Sequence, residues 1–133
     1  MTAELGKKSR RVAAGLAVAM GLVVIAYGGM CFVIGSGVEE AVRTARLSFP
    51  GDPAEALISV AMSESIPLKD RNRAIWAVGQ LGDVRALVPL GSLLTGKPCD
   101  HSSAVCQHEV RKALRLCSGR ANLTRWTWRR LVI

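Results

Sequence analysis

Between Arg11 and Glu39 there is no charged side chain. This run, Val12 to Val38, is made mostly of Val, Ala, Leu, Met and Gly. As a helix rising about 1.5 Å per residue, it is long enough to cross a hydrocarbon core of roughly 30 Å. A membrane helix at residues 12–38 follows as the first expectation, and it fixes the surroundings of everything after it. The flanks give it a direction. Lys7, Lys8, Arg10 and Arg11 precede the run, while Glu39 and Glu40 and then Arg43 and Arg46 follow it. Four basic residues against two place residues 1–11 in the cytoplasm as a basic leader, with the rest of the chain outside, periplasmic in a diderm bacterium. The expected address is therefore the inner (cytoplasmic) membrane, in a single pass. A cleaved signal peptide is the rival reading. Its apolar stretch would be only about 7–15 residues long, and this one is longer. Met30 beside Cys31 fits a lipoprotein signal poorly. Ala13, Ala17 and Gly21 recur every fourth residue, a spacing that lets another helix pack closely.

After the run, about 95 residues remain, enough for one small domain with one core. The net charge of +8 is uneven. Residues 12–109 are slightly acidic, and from Val110 onward there are seven basic residues and no acid. A basic end suits nucleic acid, an anionic membrane surface or an acidic partner protein. For a chain tethered in a bilayer and facing outward, the last two apply and nucleic acid does not. The expected partners are the lipid bilayer and another membrane or periplasmic protein, with the oligomeric state open.

Glu39 to Leu47 continues as a helix until Phe49-Pro50-Gly51 breaks it, so residues 39–50 connect the membrane segment to the domain. Asp52 is a natural N-cap, Pro53 suits the first helical position and Glu55 stands three after the cap. Ala56, Leu57, Val60 and Ala61 form the first apolar face. Asp70 is expected to cap a second helix with Ala74, Ala77, Val78 and Leu81 on its face. Gly82-Asp83 ends that helix and begins a third with Val84, Leu87, Leu90 and Leu94, in which Pro89 either kinks the helix or marks its true start. A fourth is expected from about Val105 to Cys117, closed by Gly119. No strand pattern precedes the tail. The fold class is all-α, a transmembrane helix followed by two helical hairpins across residues 51–119.

An internal repeat supports the hairpins. Gly51-Asp52 recurs at Gly82-Asp83, and Arg73-Ala74-Ile75 recurs as Lys112-Ala113-Leu114. The second offset is longer because extra residues fall between Gly96 and Ser103. The stretch from Arg73 to Leu90, with its alanine-rich helix ending in Leu81-Gly82-Asp83 followed by Arg85-Ala86 and Pro89, resembles a HEAT-like repeat of the phycobilisome-lyase-like type. The resemblance covers roughly residues 51–118. The stretch holding Cys99-Asp100-His101, Cys106-Gln107 and Cys117 is also similar to small single-pass bacterial HEAT-repeat proteins of uncharacterised function. The resemblance implies a short α-solenoid that serves as a binding scaffold. It does not imply lyase activity, because two repeats are far fewer than those enzymes contain. Two repeats also fall short of the roughly three a solenoid needs, so the 39–47 helix and the tail are expected to cap the ends.

Cys99, His101, Cys106 and His108 fall within ten residues, a zinc-capable ligand set. Their Cys-x-His spacing does not match the common finger pattern. In an oxidising compartment the plainer reading is a Cys99–Cys106 disulfide that staples the enlarged loop to the fourth helix. Cys106 and Cys117 stand eleven helical residues apart, about 16 Å and beyond disulfide reach.

The tail, residues 120–133, carries two of the three tryptophans. Read as extended chain, it puts Trp126, Trp128, Arg130 and Val132 on one side. It either packs as a lid across the last helix, lies in the headgroup region with Trp at the interface and Arg on phosphates, or docks on another subunit. In the last two cases Arg125, Trp126, Trp128, Arg129 and Arg130 are the contact residues. The chain has no Gly-rich phosphate loop and no His-Glu zinc helix, and Asp100-His101-Ser102-Ser103 reads as a polar loop, since triads are spatial and seldom sequential. The functional expectation is a non-catalytic interaction or accessory subunit without a cofactor. A metal-binding or redox-active domain centred on the Cys/His cluster is the alternative.

Overall fold

In a computed structural model, the backbone is described for residues 2–100 and 102–132, and side-chain environments for 10–100 and 102–129. Every regular element among them is helical. The first, α1, is a single uninterrupted helix from Thr2 to Ser48. Its 47 residues reach about 70 Å. The uncharged run and the segment expected to connect it to the domain are thus one rod with no joint between them.

Along α1 the surroundings change once. Every residue from Arg10 to Tyr27 is exposed on all sides of the helix. Beyond it, Cys31, Gly35, Val38, Ala41 and Ala45 are buried. Their spacing of three and four residues makes one inward stripe. Phe32 and Val33, on the other side, stay exposed. The last third of the uncharged run therefore belongs to the domain core on one face.

The domain hangs on that stripe. α2, Pro53–Met62, begins as the sequence implies: Asp52 accepts from the backbone N–H of Ala54 and Glu55, and Pro53 takes the first position, where no N–H is needed. α3, Leu68–Leu81, begins earlier than expected. Pro67 precedes it and Asp70 lies within the first turn, so Asp70 favours the positive end of the helix without capping it. Gly82 ends α3 with a φ of 60°, a left-handed conformation that suits glycine. A 3-10 turn, Val84–Ala86, runs into α4, Leu87–Ser92. Pro89 falls in the first turn of α4, where its missing N–H costs nothing, so it marks the start of a helix and does not kink one. α5, Gln107–Cys117, ends in a Schellman arrangement: Arg120 N–H donates to Arg115 O and Gly119 N–H to Leu116 O.

α2 packs on α3, α4 on α5, and α3 on α5, while α1 runs beside α2 and α3. Leu57, Ile75, Val78, Leu90 and Val110 are at most 0% exposed. Each contributes about 1.5–3 kcal/mol by leaving water. The α3–α5 approach is closest at Gly79. A β-carbon there would lie 2.8 Å from the Ala113 Cα and 2.9 Å from its Cβ.

The tail corrects the sequence reading twice. It is a helix, α6, Leu123–Val132, and it is not extended chain. It also does not lie across the last helix as a lid. It turns back to pack against α1.

Candidate functional site

Two places gather the side chains singled out in the sequence. The first is the junction of α6 with α1. Asn122 starts α6: its Oδ1 accepts from Thr124 N–H and Oγ1–H and from Arg125 N–H, while its Nδ2–H donates to the buried Gln80 Oε1 at 2.9 Å. The cap is thereby bolted to α3. Tyr27, near the end of the exposed part of α1, donates its hydroxyl to Leu123 O at 2.9 Å and pairs with Thr127 Oγ1 at 3.0 Å. One turn further along α6, Trp128 enters the core and is 1% exposed. It stands near Gly35, Val38 and Val42 of α1 and Leu81 of α3. Its indole N–H has no hydrogen-bond partner among the described residues.

Arg125 and Arg129 of α6 reach the end of α3. Arg129 donates to Leu81 O at 2.8 Å and Arg125 reaches Gly82 O at 3.5 Å. Those carbonyls are left open at the helix C-terminus, where partial negative charge collects and cations are favoured. Burial, more than the neighbouring Arg125, holds the Arg129 guanidinium below its usual range. Of the five residues expected to face a partner, Trp128 is therefore core, Arg125 is half-buried, and Arg129 stays exposed while bonding to Leu81 O. Trp126 is 65% exposed and keeps an outward position, joined by Leu123 at 82%. The Arg130 side chain lies outside the described residues, as do those of Lys7 and Lys8; Arg10 and Arg11 are exposed. Sequence reading missed Tyr27 and Asn122. The Asn122-x-Thr124 cap pattern was the available signal for the helix, whereas nothing local ties Tyr27 to a segment 96 residues away.

The second place is the loop between α4 and α5. Gln107, 2% exposed, organises it: its Oε1 accepts from Thr95 N–H and its Nε2–H donates to Leu93 O. Asn72 of α3 accepts from Cys106 N–H at 2.8 Å and so holds the start of α5. Asp100 accepts from the hydroxyls of Ser102 and Ser103, which hold its carboxyl down at about 2. Cys99 lies beside Cys106, with the two sulfurs 3.8 Å apart. They are thiols in contact and not the expected disulfide, whose sulfurs would stand about 2.05 Å apart. The Cys99 sulfur also accepts from His108 N–H at 3.3 Å, in the first turn of α5. That backbone bond, more than any other influence, lowers the Cys99 thiol from its ordinary range. Cys117 contrasts with it: burial pushes its thiol up to about 11, and it donates weakly to Val78 O. Cys31 is fully buried. Among the described residues no three His, Cys, Asp or Glu side chains converge as metal ligands, and His101 lies outside those residues.

Arg85 joins the two repeat-related aspartates. It reaches Asp52 at 2.6 Å, Asp83 at 2.7 Å and Glu55 at 2.9 Å. Asp52 caps α2 and Asp83 caps the 3-10 turn, so one guanidinium ties both helical starts together. It holds both aspartates below the usual carboxylate range.

Comparison with family models, with curated proteins and with solved structures finds no match for this chain.

Proposed function

We propose that this chain is a membrane-anchored, non-catalytic interaction or accessory subunit that holds a short HEAT-like domain against the outer face of the cytoplasmic membrane. One observation carries the reading: α1 is exposed and apolar from Val12 to Tyr27, then becomes a wall of the domain core without a break. An apolar helix exposed on every side needs lipid around it. Twenty residues from Val12 span about 30 Å and end at Cys31, where burial begins. The domain then starts where the hydrocarbon ends. With no linker, it cannot swing away from the bilayer. Tyr27 and the outward Trp126 fall near the headgroup level that aromatic side chains favour. The pairing of α2 with α3 and α4 with α5, and of α3 with α5, supports the HEAT-like solenoid reading. The basic leader supports the outward direction. In that compartment the Cys99 and Cys106 thiols, 3.8 Å apart in the reduced form, would be open to oxidation to a disulfide that staples the loop to α5.

Alkaline extraction of membranes and site-specific photo-crosslinking test the proposal. The chain is expected to stay in the membrane pellet. A crosslinker in place of Leu123 captures lipid, and one in place of the exposed Val88 captures one protein of reproducible size. Release into the soluble fraction, or recovery only as an uncrosslinked monomer, overturns it. Cys99 is the reporter for sidedness: after reduction it reacts with an impermeant thiol reagent in spheroplasts if the domain faces outward. Cys106 is too buried for that purpose.

A further inference from the structure

We infer that Cys99 and Cys106 form a reversible thiol–disulfide exchange site in which Cys99 meets the incoming disulfide and Cys106 resolves the mixed disulfide. This rests on the Cys99–Cys106 pairing proposed above and is independent of any partner in the membrane. Three observations on the two residues differ in the way such a division of labour needs. Cys99 is partly exposed on a loop without regular structure, whereas Cys106 is 8% exposed and its backbone is fixed by Asn72. An external disulfide therefore reaches Cys99 first. The Cys99 sulfur occupies the place of an N-cap on α5, which has no side-chain oxygen cap, and accepts the His108 N–H. A thiolate is favoured at the positive end of a helix, and the thiolate is the attacking species. Arg111, one turn along α5, adds positive charge nearby. Finally, the sulfurs are 3.8 Å apart, so bond formation needs an approach of roughly 1.8 Å, which falls to Cys99 because its backbone is not held in a helix. Cys31 and Cys117 have none of these features; both are closed in the core.

The exchange balances with a disulfide-bearing oxidant, RS–SR. The Cys99 thiolate attacks one sulfur, forming the Cys99–SR bond and releasing RS⁻. The Cys106 thiolate then attacks the Cys99 sulfur, forming Cys99–Cys106 and releasing the second RS⁻. The two thiol protons pass to the two RS⁻ groups. Two electrons leave the cysteine pair and reduce the oxidant to two thiols. A dithiol reverses the sequence. Oxidation removes the thiolate from the start of α5 and shortens the tether of the enlarged loop.

The test uses the full chain in detergent micelles, reduced, with oxidised glutathione as the probe and a disulfide-form thioredoxin-type protein as a second arm. The arms show whether a small or a protein disulfide is taken. Intact-mass analysis after alkylation follows the thiols. Wild-type chain is expected to lose two thiols without retaining glutathione, and to regain both with a dithiol under native conditions. Cys106→Ser is expected to accumulate a stable Cys99 adduct, and Cys99→Ser to form adduct at least tenfold more slowly. Cys106→Ala serves if the serine variant loses its helical circular dichroism. If neither arm removes thiols from Cys99 and Cys106, the pairing itself fails. If the bond forms but adduct appears first at Cys106, or the folded protein resists the dithiol, the pairing stands and the exchange inference falls.

Discussion

The two parts of α1 share one helix and one uncharged run, yet they meet opposite surroundings. Val12 to Ala26 is exposed on every side, whereas Cys31 to Ala45 is buried along one stripe. Both parts are rich in small and apolar residues. The difference comes from what lies opposite: Trp128 of α6 and Trp76 of α3, whose ring stands 3.1 Å from where a β-carbon on Gly37 would be. Hydrophobicity decides that a segment must leave water. It does not decide whether lipid or protein receives it, because both remove the same apolar area. In the proposed reading the same rod serves as anchor and as core, and helix geometry sets the domain's attitude to the bilayer.

The largest expected effect breaks the core half alone. Trp128→Ala should destabilise the domain by about 3–5 kcal/mol, read by chemical denaturation in micelles, with the chain still retained by membranes. Trp128→Phe should cost less than about 1.5 kcal/mol, because the indole N–H that it removes has no partner to lose. The converse variant strikes the anchor half. Leu22→Arg, near the middle of the exposed segment, should cost about 2.5–3.5 kcal/mol of membrane insertion, read as the inserted fraction, while the denaturation midpoint of the domain stays unchanged. Tyr27→Phe probes the seam between the halves. It removes both hydrogen bonds to α6, and a loss of about 0.5–1.5 kcal/mol is expected, with faster amide exchange confined to α6.

The smallest effect separates the halves by pH. The anchor half has no titratable side chain that changes charge in acid. In the domain, the side-chain bond from Arg85 lowers Asp52 and Asp83 in the folded state. Their contribution is fully present above the ordinary carboxylate range of about 4 and is lost as pH falls through the lowered folded values. Below about pH 4 the thermal unfolding midpoint should therefore fall, and Arg85→Gln should flatten that fall. Membrane retention should not change over the same range. A domain whose midpoint is equally acid-sensitive in both forms would remove Arg85 from the account.

Much of the helical framework is legible locally. The Asp52-Pro53 start, the Gly82 and Gly119 stops and the role of Pro89 each depend on a few adjacent atoms, so sequence suffices for them. The start of α3 was misplaced because Asp70 is as acceptable within a first turn as before it. The tail was misread because its alternation of Trp and Arg fits an extended strand, while the Asn122 cap and the i, i+4 spacing of Arg125 and Arg129 fit a helix equally well. Only the carbonyls left open at the end of α3 choose between them. Trp128 is placed in the core for the same reason, and Arg125 and Arg129 bond to carbonyls more than 40 residues distant in the chain.

Sequence alone determined that one segment is long and apolar enough to cross a membrane, that the remainder is helical, and where most helices begin and end. These are properties of hydropathy, length and capping, which act within a few residues. Tertiary structure decided which third of the uncharged run joins the core, that the tail returns to Tyr27, and that Cys99 rests at the start of α5 beside Cys106. Those depend on which distant surfaces fit together, and shape and hydrogen-bond complementarity between segments is fixed only when the whole chain packs.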